Sequence, residues 1–153
     1  MAGRDDPEDI RGWQRLDMRT TTSGRLLPHD PARLAVLGIR HVINLALDEH
    51  PEALADEAAL MADVGIAYTH IPVPFDAPTT SHFEAFKAAL QDVGEEPVHV
   101  HCIANYRVSA FFYLLNRELG LAEDEARAMM QEQWDPLASD HPQAAPWRTL
   151  LTP

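Results

Sequence analysis

The strongest constraint on this chain's fold is a series of short apolar runs that alternate with segments of helical spacing. The runs 41–47, 66–73 and 97–101 have the length and composition of buried strands. Between them, apolar residues recur every three to four positions in segments that end at glycine, as in helices. Strands that alternate with helices favour parallel pairing. We therefore predict an α/β fold in three layers, with a mainly parallel central sheet and helices on both faces.

The chain has the length of one domain. Residues 1–10 are polar and acidic without a period, so we expect a disordered acidic lead and a single domain over residues 11–153. Pro51 fits the first turn of a helix that ends at Gly65 and turns Glu57 outward. A further helix is expected from Ala110. The segment 142–153 is expected to lie on the surface, pinned by Trp147 and two leucines.

Charge and composition exclude two classes of partner. The net charge is −12 with a single lysine, so we expect no nucleic acid and no anionic membrane surface as a partner. No window has the roughly 20 apolar residues that span a bilayer, and the N-terminus lacks the apolar core of a signal peptide. We therefore expect a cytoplasmic protein. A lone cysteine, Cys102, forms no internal disulfide.

The residues 101–109 contain the features that point to chemistry. Cys102 follows a strand-like run, a helix-like run comes after it, and Arg107 is the only formally charged side chain between Pro97 and Asn116. Unpaired amides at a helix N-terminus bind anions, and together with Arg107 they favour a thiolate nucleophile. Arginine can hold two phosphate oxygens at once. Ser109 is a candidate donor to the thiolate. The candidate substrate-binding residues of the loop are Ile103, Ala104, Asn105, Tyr106 and Val108.

This stretch resembles the phosphate-binding loop of the protein tyrosine and dual-specificity phosphatases, and the chain is similar to a small bacterial member of that superfamily. Phe75-Asp76-Ala77-Pro78 resembles the loop that bears the general acid, and 23–45 resembles the N-terminal strand, helix and strand. The resemblance implies a cysteine-phosphatase-like fold. It also implies that Cys102 attacks phosphorus, that Asp76 protonates the leaving oxygen, and that no cofactor or metal is needed. A phosphate ester or other oxyanion is the implied ligand, with a protein substrate or a homo-oligomer left open.

The spacing departs from the superfamily pattern. Four residues separate Cys102 from Arg107, where the superfamily has five. In an ungapped match Ser109 still agrees, Asn105 replaces the usual glycine, and Val108 takes the place of the arginine. Asparagine tolerates the left-handed backbone nearly as well as glycine. The pattern therefore predicts a loop of ordinary length with a relocated arginine.

Other functions stay open. Single-domain rhodaneses resemble this loop through a cysteine and an arginine separated by four residues, and they would carry a persulfide on Cys102. A non-catalytic oxyanion-binding regulatory module is a third possibility. His101 is a supporting residue that either tunes the loop or satisfies a buried backbone carbonyl, and we favour the carbonyl. His99 and His101 share one strand face and Cys102 lies on the other, which makes a poor metal site.

Overall fold

The computed structural model describes residues 5–152 and contains a five-stranded sheet. The strands are β1 (Gln14–Arg15), β2 (Thr20–Ser23), β3 (His41–Asn44), β4 (Ala67–His70) and β5 (Val98–His101), in the order β1-β2-β5-β3-β4. Only the edge pair β1 and β2 is antiparallel, and the other three pairs are parallel. The predicted mainly parallel sheet is confirmed. β5 is its central strand.

Six α-helices connect and cover these strands. They are α1 (Asp30–Leu37), α2 (Glu57–Asp63), α3 (Thr80–Val93), α4 (Tyr106–Glu118), α5 (Glu123–Gln131) and α6 (Ala145–Leu151), with a 3₁₀ turn at Pro142–Ala144. Successive side chains of a strand point to opposite faces, so each face can bury its own set. On one face Ile43 and Val100 pack with residues of α3 to α6, and on the other Val42 packs with residues of α1 and α2. The three predicted layers are thereby confirmed.

Three expectations about the helices are wrong in detail. α2 begins at Glu57 instead of Pro51, and Glu57 is buried rather than turned outward. α4 begins four residues before Ala110 because the loop backbone turns directly into the helix. The C-terminal segment forms α6, and Trp147 in it is fully buried in the larger core cluster, the one that contains Ile43 and Val100. Glu57 and Trp147 are buried by partners distant in sequence, which the local pattern does not show.

The predicted disordered lead overlaps only partly with the described residues, because its positions 1–4 lie outside them. Its remaining residues make ordered contacts. The Asp6 carboxylate accepts from the Arg15 guanidinium at 2.7 Å, and Ile10 is 4% exposed in the core cluster beside α1 and α2. None of the helices within residues 5–152 is long and apolar enough to span a membrane.

Candidate active site

Cys102 lies where the central strand of the sheet ends. Ligands of parallel sheets bind at the carboxyl ends of the strands. The Cys102 amide donates to the Ser23 carbonyl at 3.3 Å, and Leu45 at the end of β3 donates to the His101 carbonyl at 2.9 Å. The thiol residue is only 1% exposed. Hydrogen bonds from both neighbouring strands therefore fix the backbone on which the thiol is mounted.

Asn105 makes the turn from this strand into α4. It has φ +67, a left-handed conformation, and it directly precedes the first helical residue, Tyr106. Its side-chain amide donates to the Gly12 carbonyl at 2.8 Å and to the Thr22 hydroxyl at 3.0 Å. Asparagine accepts this conformation at low cost. The residue that replaces the usual glycine thus makes the turn and also ties the loop to the β1 and β2 region.

Arg107 connects the cysteine loop with the segment that carries Asp76. Its Nη1 donates to the Val73 carbonyl at 2.9 Å, and its guanidinium lies 5.7 Å from the centre of the Phe75 ring. The residue is 6% exposed, and its Nε is buried with no hydrogen-bond partner among the described residues. A buried unpaired donor on a cation is costly in a native protein. An oxyanion in the adjoining cavity would offer such a donor an acceptor.

Cys102, Arg107 and Asp76 line one cavity of about 590 Å³. Ile103, Ala104 and Tyr106, predicted to bind substrate, line it as well. Asp76 is exposed, on the turn after Phe75. This brings the predicted nucleophile, anion-binding cation and proton donor to a single cavity. The relocated arginine faces the same space as the thiol.

Three predicted residues are directed elsewhere. The Ser109 hydroxyl donates to the Tyr106 carbonyl at 3.2 Å, and Ser109 lines a different cavity between α4 and α5. Val108 is fully buried in the larger core cluster. The Asn105 side chain points toward Gly12 and Thr22, as described above. The first turn of α4 sends consecutive side chains about 100° apart, so Arg107 reaches the cavity and Val108 the core.

Sequence reasoning missed several residues of the cavity. Glu49 and His50 follow β3, and Gln143 comes from the 3₁₀ turn near the C-terminus. The His50 Nδ1 accepts from the Glu52 amide at 3.0 Å, which leaves Nε2 as the ring's donor in the neutral form. The position of Glu49 and His50 after a strand end was the available signal. Nothing in the sequence indicated Gln143.

A buried acid-base pair lies behind the cysteine. The His101 Nε2 is 2.5 Å from a Glu57 carboxylate oxygen, and Nδ1 is 3.1 Å from the Cys102 carbonyl. A carbonyl only accepts, so Nδ1 carries a proton and donates to it. Asn44 donates to the other Glu57 oxygen at 3.3 Å. His101 thus satisfies a backbone carbonyl, the role that the sequence favoured, and couples it to a buried carboxylate.

His99 lies on the same strand face and is fully buried. Its Nδ1 and Nε2 are each 2.8 Å from a hydroxyl, those of Thr21 and Ser23, and Trp13 stacks on the ring at 5.1 Å. Burial, and secondly the electrostatic effect of the neighbouring His101, hold the pKa of His99 well below its usual 6.5. His99 is therefore neutral at physiological pH. It anchors β2 to β5 beneath the loop.

Gly24 allows the segment after β2 to pack directly on the cysteine loop. The Arg25 amide donates to the Ile103 carbonyl at 2.9 Å. A Cβ at position 24 would lie 2.4 Å from that carbonyl oxygen and 3.1 Å from the Ala104 Cα. Only glycine permits this approach, because ordinary van der Waals contact begins near 3.4 Å. The Ser23-Gly24 break thus has a structural role in supporting the loop.

Two thirds of the chain match a known protein family. Residues 15–117 match the model of a protein family, the phosphatase-like domain of beta-lactamase hydrolase-like proteins. The chain belongs to this family. The match runs from the last residue of β1 through nearly all of α4, and so includes the complete cysteine loop and the Asp76 segment. No curated protein is significantly similar in sequence to the chain.

Solved structures agree with the family. A candidate phosphatase from Shewanella putrefaciens CN-32 is 32% identical, with a TM-score of 0.82 over 95% of this chain and 91% of that one. A candidate phosphatase from Neisseria meningitidis Z2491 is 23% identical, with a TM-score of 0.69 over 81% of this chain and 89% of that one. The second comparison shows the fold alone.

A more distant relative extends the fold comparison to a phosphatase complex. TpbA from Pseudomonas aeruginosa, solved as a cysteine-to-serine variant with phosphotyrosine, is 16% identical. Its TM-score is 0.69 over 92% of this chain and 83% of that one. The match to a phosphatase-like family confirms the predicted resemblance, and the solved structures show that the fold is the one found in cysteine phosphatases.

Proposed function

We propose that the chain is a cysteine-dependent phosphatase that hydrolyses a phosphate monoester, either phosphotyrosine or a small phosphoester. The observation that carries the proposal is the shared cavity, which Cys102, Arg107 and Asp76 line together. The unpaired Arg107 Nε and the loop amides ahead of α4 supply donors for a dianionic phosphate. No metal or cofactor enters the proposed reaction.

The proposed reaction has two steps. The Cys102 thiolate attacks phosphorus, the bond from phosphorus to the ester oxygen breaks, and Asp76 gives its proton to the leaving oxygen. Asp76, now a carboxylate, then takes a proton from a water molecule whose oxygen attacks the cysteinyl-phosphate. The sulfur–phosphorus bond breaks, and inorganic phosphate and the Cys102 thiolate result. Arg107 and the loop amides hold the three non-bridging oxygens in both steps.

Two assays on the same preparations test this proposal. Hydrolysis of an aryl phosphate and sulfur transfer from thiosulfate to cyanide are measured for the wild type, Cys102→Ser and Asp76→Asn. We expect hydrolysis in the wild type, none with Cys102→Ser, and a drop of about 10²-fold or more with Asp76→Asn. Full hydrolysis by Cys102→Ser contradicts the thiol mechanism. Sulfur transfer without hydrolysis supports the rhodanese-like alternative instead.

The relocated arginine has its own test, the exchange of Arg107 and Val108. The exchange would place a guanidinium at a fully buried core position and a valine at the cavity. We expect hydrolysis to collapse, because the loop is adapted to its own arginine position. Higher turnover after the exchange would show that the native arginine is misplaced. Phosphate that raises the melting temperature without any turnover would indicate the regulatory module.

A further inference from the structure

A second cavity lies beside the candidate active site. It has a volume of about 390 Å³ and shares Phe75, Tyr106 and Gln143 with the cavity of Cys102. Trp134 and His141 also line it. Sites for small organic groups are typically concave, of a few hundred cubic ångströms, and lined by aromatic side chains with a few polar groups. The shared residues place the two cavities next to each other.

The aromatic rings of this wall are held in place. The Tyr106 and Trp134 rings stack at 4.7 Å with an interplanar angle of 4°, and Phe75 lies 5.5 Å from Trp134. The Trp134 indole donates to the Tyr106 carbonyl at 2.9 Å, and the Trp147 indole donates to the Phe75 carbonyl at 2.8 Å. Rigid rings bind flat apolar groups at a low cost in conformational entropy. The rings also adjoin the chemistry, since Tyr106 precedes Arg107 in sequence.

The charges of the second cavity argue against a second phosphate or a cation. Among residues 5–152, no lysine or arginine lines it. Its one carboxylate, Asp135, is already paired, because one oxygen accepts from Arg127 at 3.0 Å and Gln131 at 2.8 Å. The other oxygen accepts from the Leu137 amide at 3.1 Å. An anionic occupant would therefore find no lysine or arginine there, and a cationic one no unpaired carboxylate.

We propose that this second cavity binds an uncharged aromatic group that extends from the phosphate-bearing part of the substrate. The proposal rests on the proposed phosphatase function and narrows its substrate class to esters with such an extension. The extension contacts the stacked Tyr106 and Trp134 rings, while the phosphate lies at Cys102 and Arg107. A small biaryl ester and a phosphotyrosine followed by an aromatic residue both have this chemistry.

Phosphonates test the proposal without turnover, because their carbon–phosphorus bond is not cleaved by this mechanism. Affinities of benzylphosphonate and biphenylmethylphosphonate are measured by calorimetry on the wild type, Trp134→Ala and Trp13→Ala. We expect the biphenyl compound to bind the wild type about tenfold more tightly, consistent with one additional aromatic contact. We expect Trp134→Ala to lose this preference. Trp13 lines neither cavity, so Trp13→Ala should keep the preference for the biphenyl compound.

The outcomes separate the two proposals. Equal affinity of both phosphonates for the wild type overturns the aromatic subsite, whatever the variants show. If neither phosphonate binds the wild type, the proposed phosphate site fails as well. Phosphotyrosine peptides with Phe or Ala after the phosphotyrosine, measured on Cys102→Ser, distinguish the two sources. Tighter binding of the Phe peptide supports a peptide substrate. Equal binding of the two peptides, with the preference for the biphenyl phosphonate retained, supports a small ester as the substrate.

Discussion

Gly24→Ala is the substitution whose effect can be worked out most directly from the structure. The added Cβ would lie 2.4 Å from the Ile103 carbonyl oxygen, which is backbone and cannot rotate away. Restoring ordinary contact near 3.4 Å requires a movement of about 1 Å between the segment after β2 and the cysteine loop. A displacement of about 1 Å in catalytic groups can cost about 10²-fold in rate, or about 3 kcal/mol of transition-state stabilisation. We expect kcat/KM for an aryl phosphate to fall by that factor.

The control for this variant is Gly38→Ala. Gly38 ends α1 with φ +101, and a Cβ there would have no heavy atom within 4 Å. The left-handed backbone costs alanine about 1–2 kcal/mol, similar to the ~1–3 kcal/mol expected for overpacking at Gly24. Urea unfolding should thus show comparable destabilisation for both variants, with the fall in kcat/KM confined to Gly24→Ala. If Gly24→Ala keeps the kcat/KM and the phosphonate affinity of the wild type, the predicted displacement of the cysteine loop is refuted.

Three other side chains, Arg107, Trp147 and His99, can each be tested by a single substitution. Arg107→Lys should weaken phosphonate binding by about tenfold or more in calorimetry, because an ammonium group cannot replace the guanidinium fork, and unchanged affinity would contradict this role. Trp147→Phe should lower the free energy of unfolding by about 1–3 kcal/mol, because it leaves the Phe75 carbonyl without its indole donor. An unchanged midpoint of urea unfolding would speak against that hydrogen bond. In the unfolded chain His99 takes up a proton near pH 6.5, whereas the folded protein keeps its ring neutral. The free energy of unfolding therefore falls as the pH drops below 6.5, and His99 should account for a loss of about 1 kcal/mol between pH 7.5 and 5.5. His99→Gln should lose less stability than the wild type over that range, and an equal loss would exclude His99 as the cause.

The sequence was most informative where local patterns are repeated. Apolar runs of strand length and helical segments ending at glycine predicted the mainly parallel sheet, since burial on both faces requires continuous apolar strands. The same patterns located Cys102 at a strand end. Boundaries were less accurate. Pro51 fits the start of a helix, yet α2 begins at Glu57, and the carboxylate predicted to face outward is buried against His101.

The site shows the same division. The residue types of 101–109 predicted an oxyanion loop, but the direction of each side chain depends on distant partners. Asn105 is held by Gly12 and Thr22, and Arg107 by the Val73 carbonyl. No local rule predicts such contacts, since they join segments that meet only when the sheet is assembled. Ser109 was a reasonable candidate from spacing alone, and the helix turns its hydroxyl to a backbone carbonyl instead.

The sequence by itself therefore determined the fold class, the position of the lone cysteine at the end of a strand, and the presence of one arginine near it. These depend on periodicity and residue type, which are local properties. Tertiary structure decided that Arg107 rather than Val108 reaches the cavity and that Asp76 lines the same space. It also decided that Gln143 and Trp134, far along the chain, enclose an adjoining pocket. Those outcomes depend on how helices pack on the sheet, and packing is a property of the whole chain.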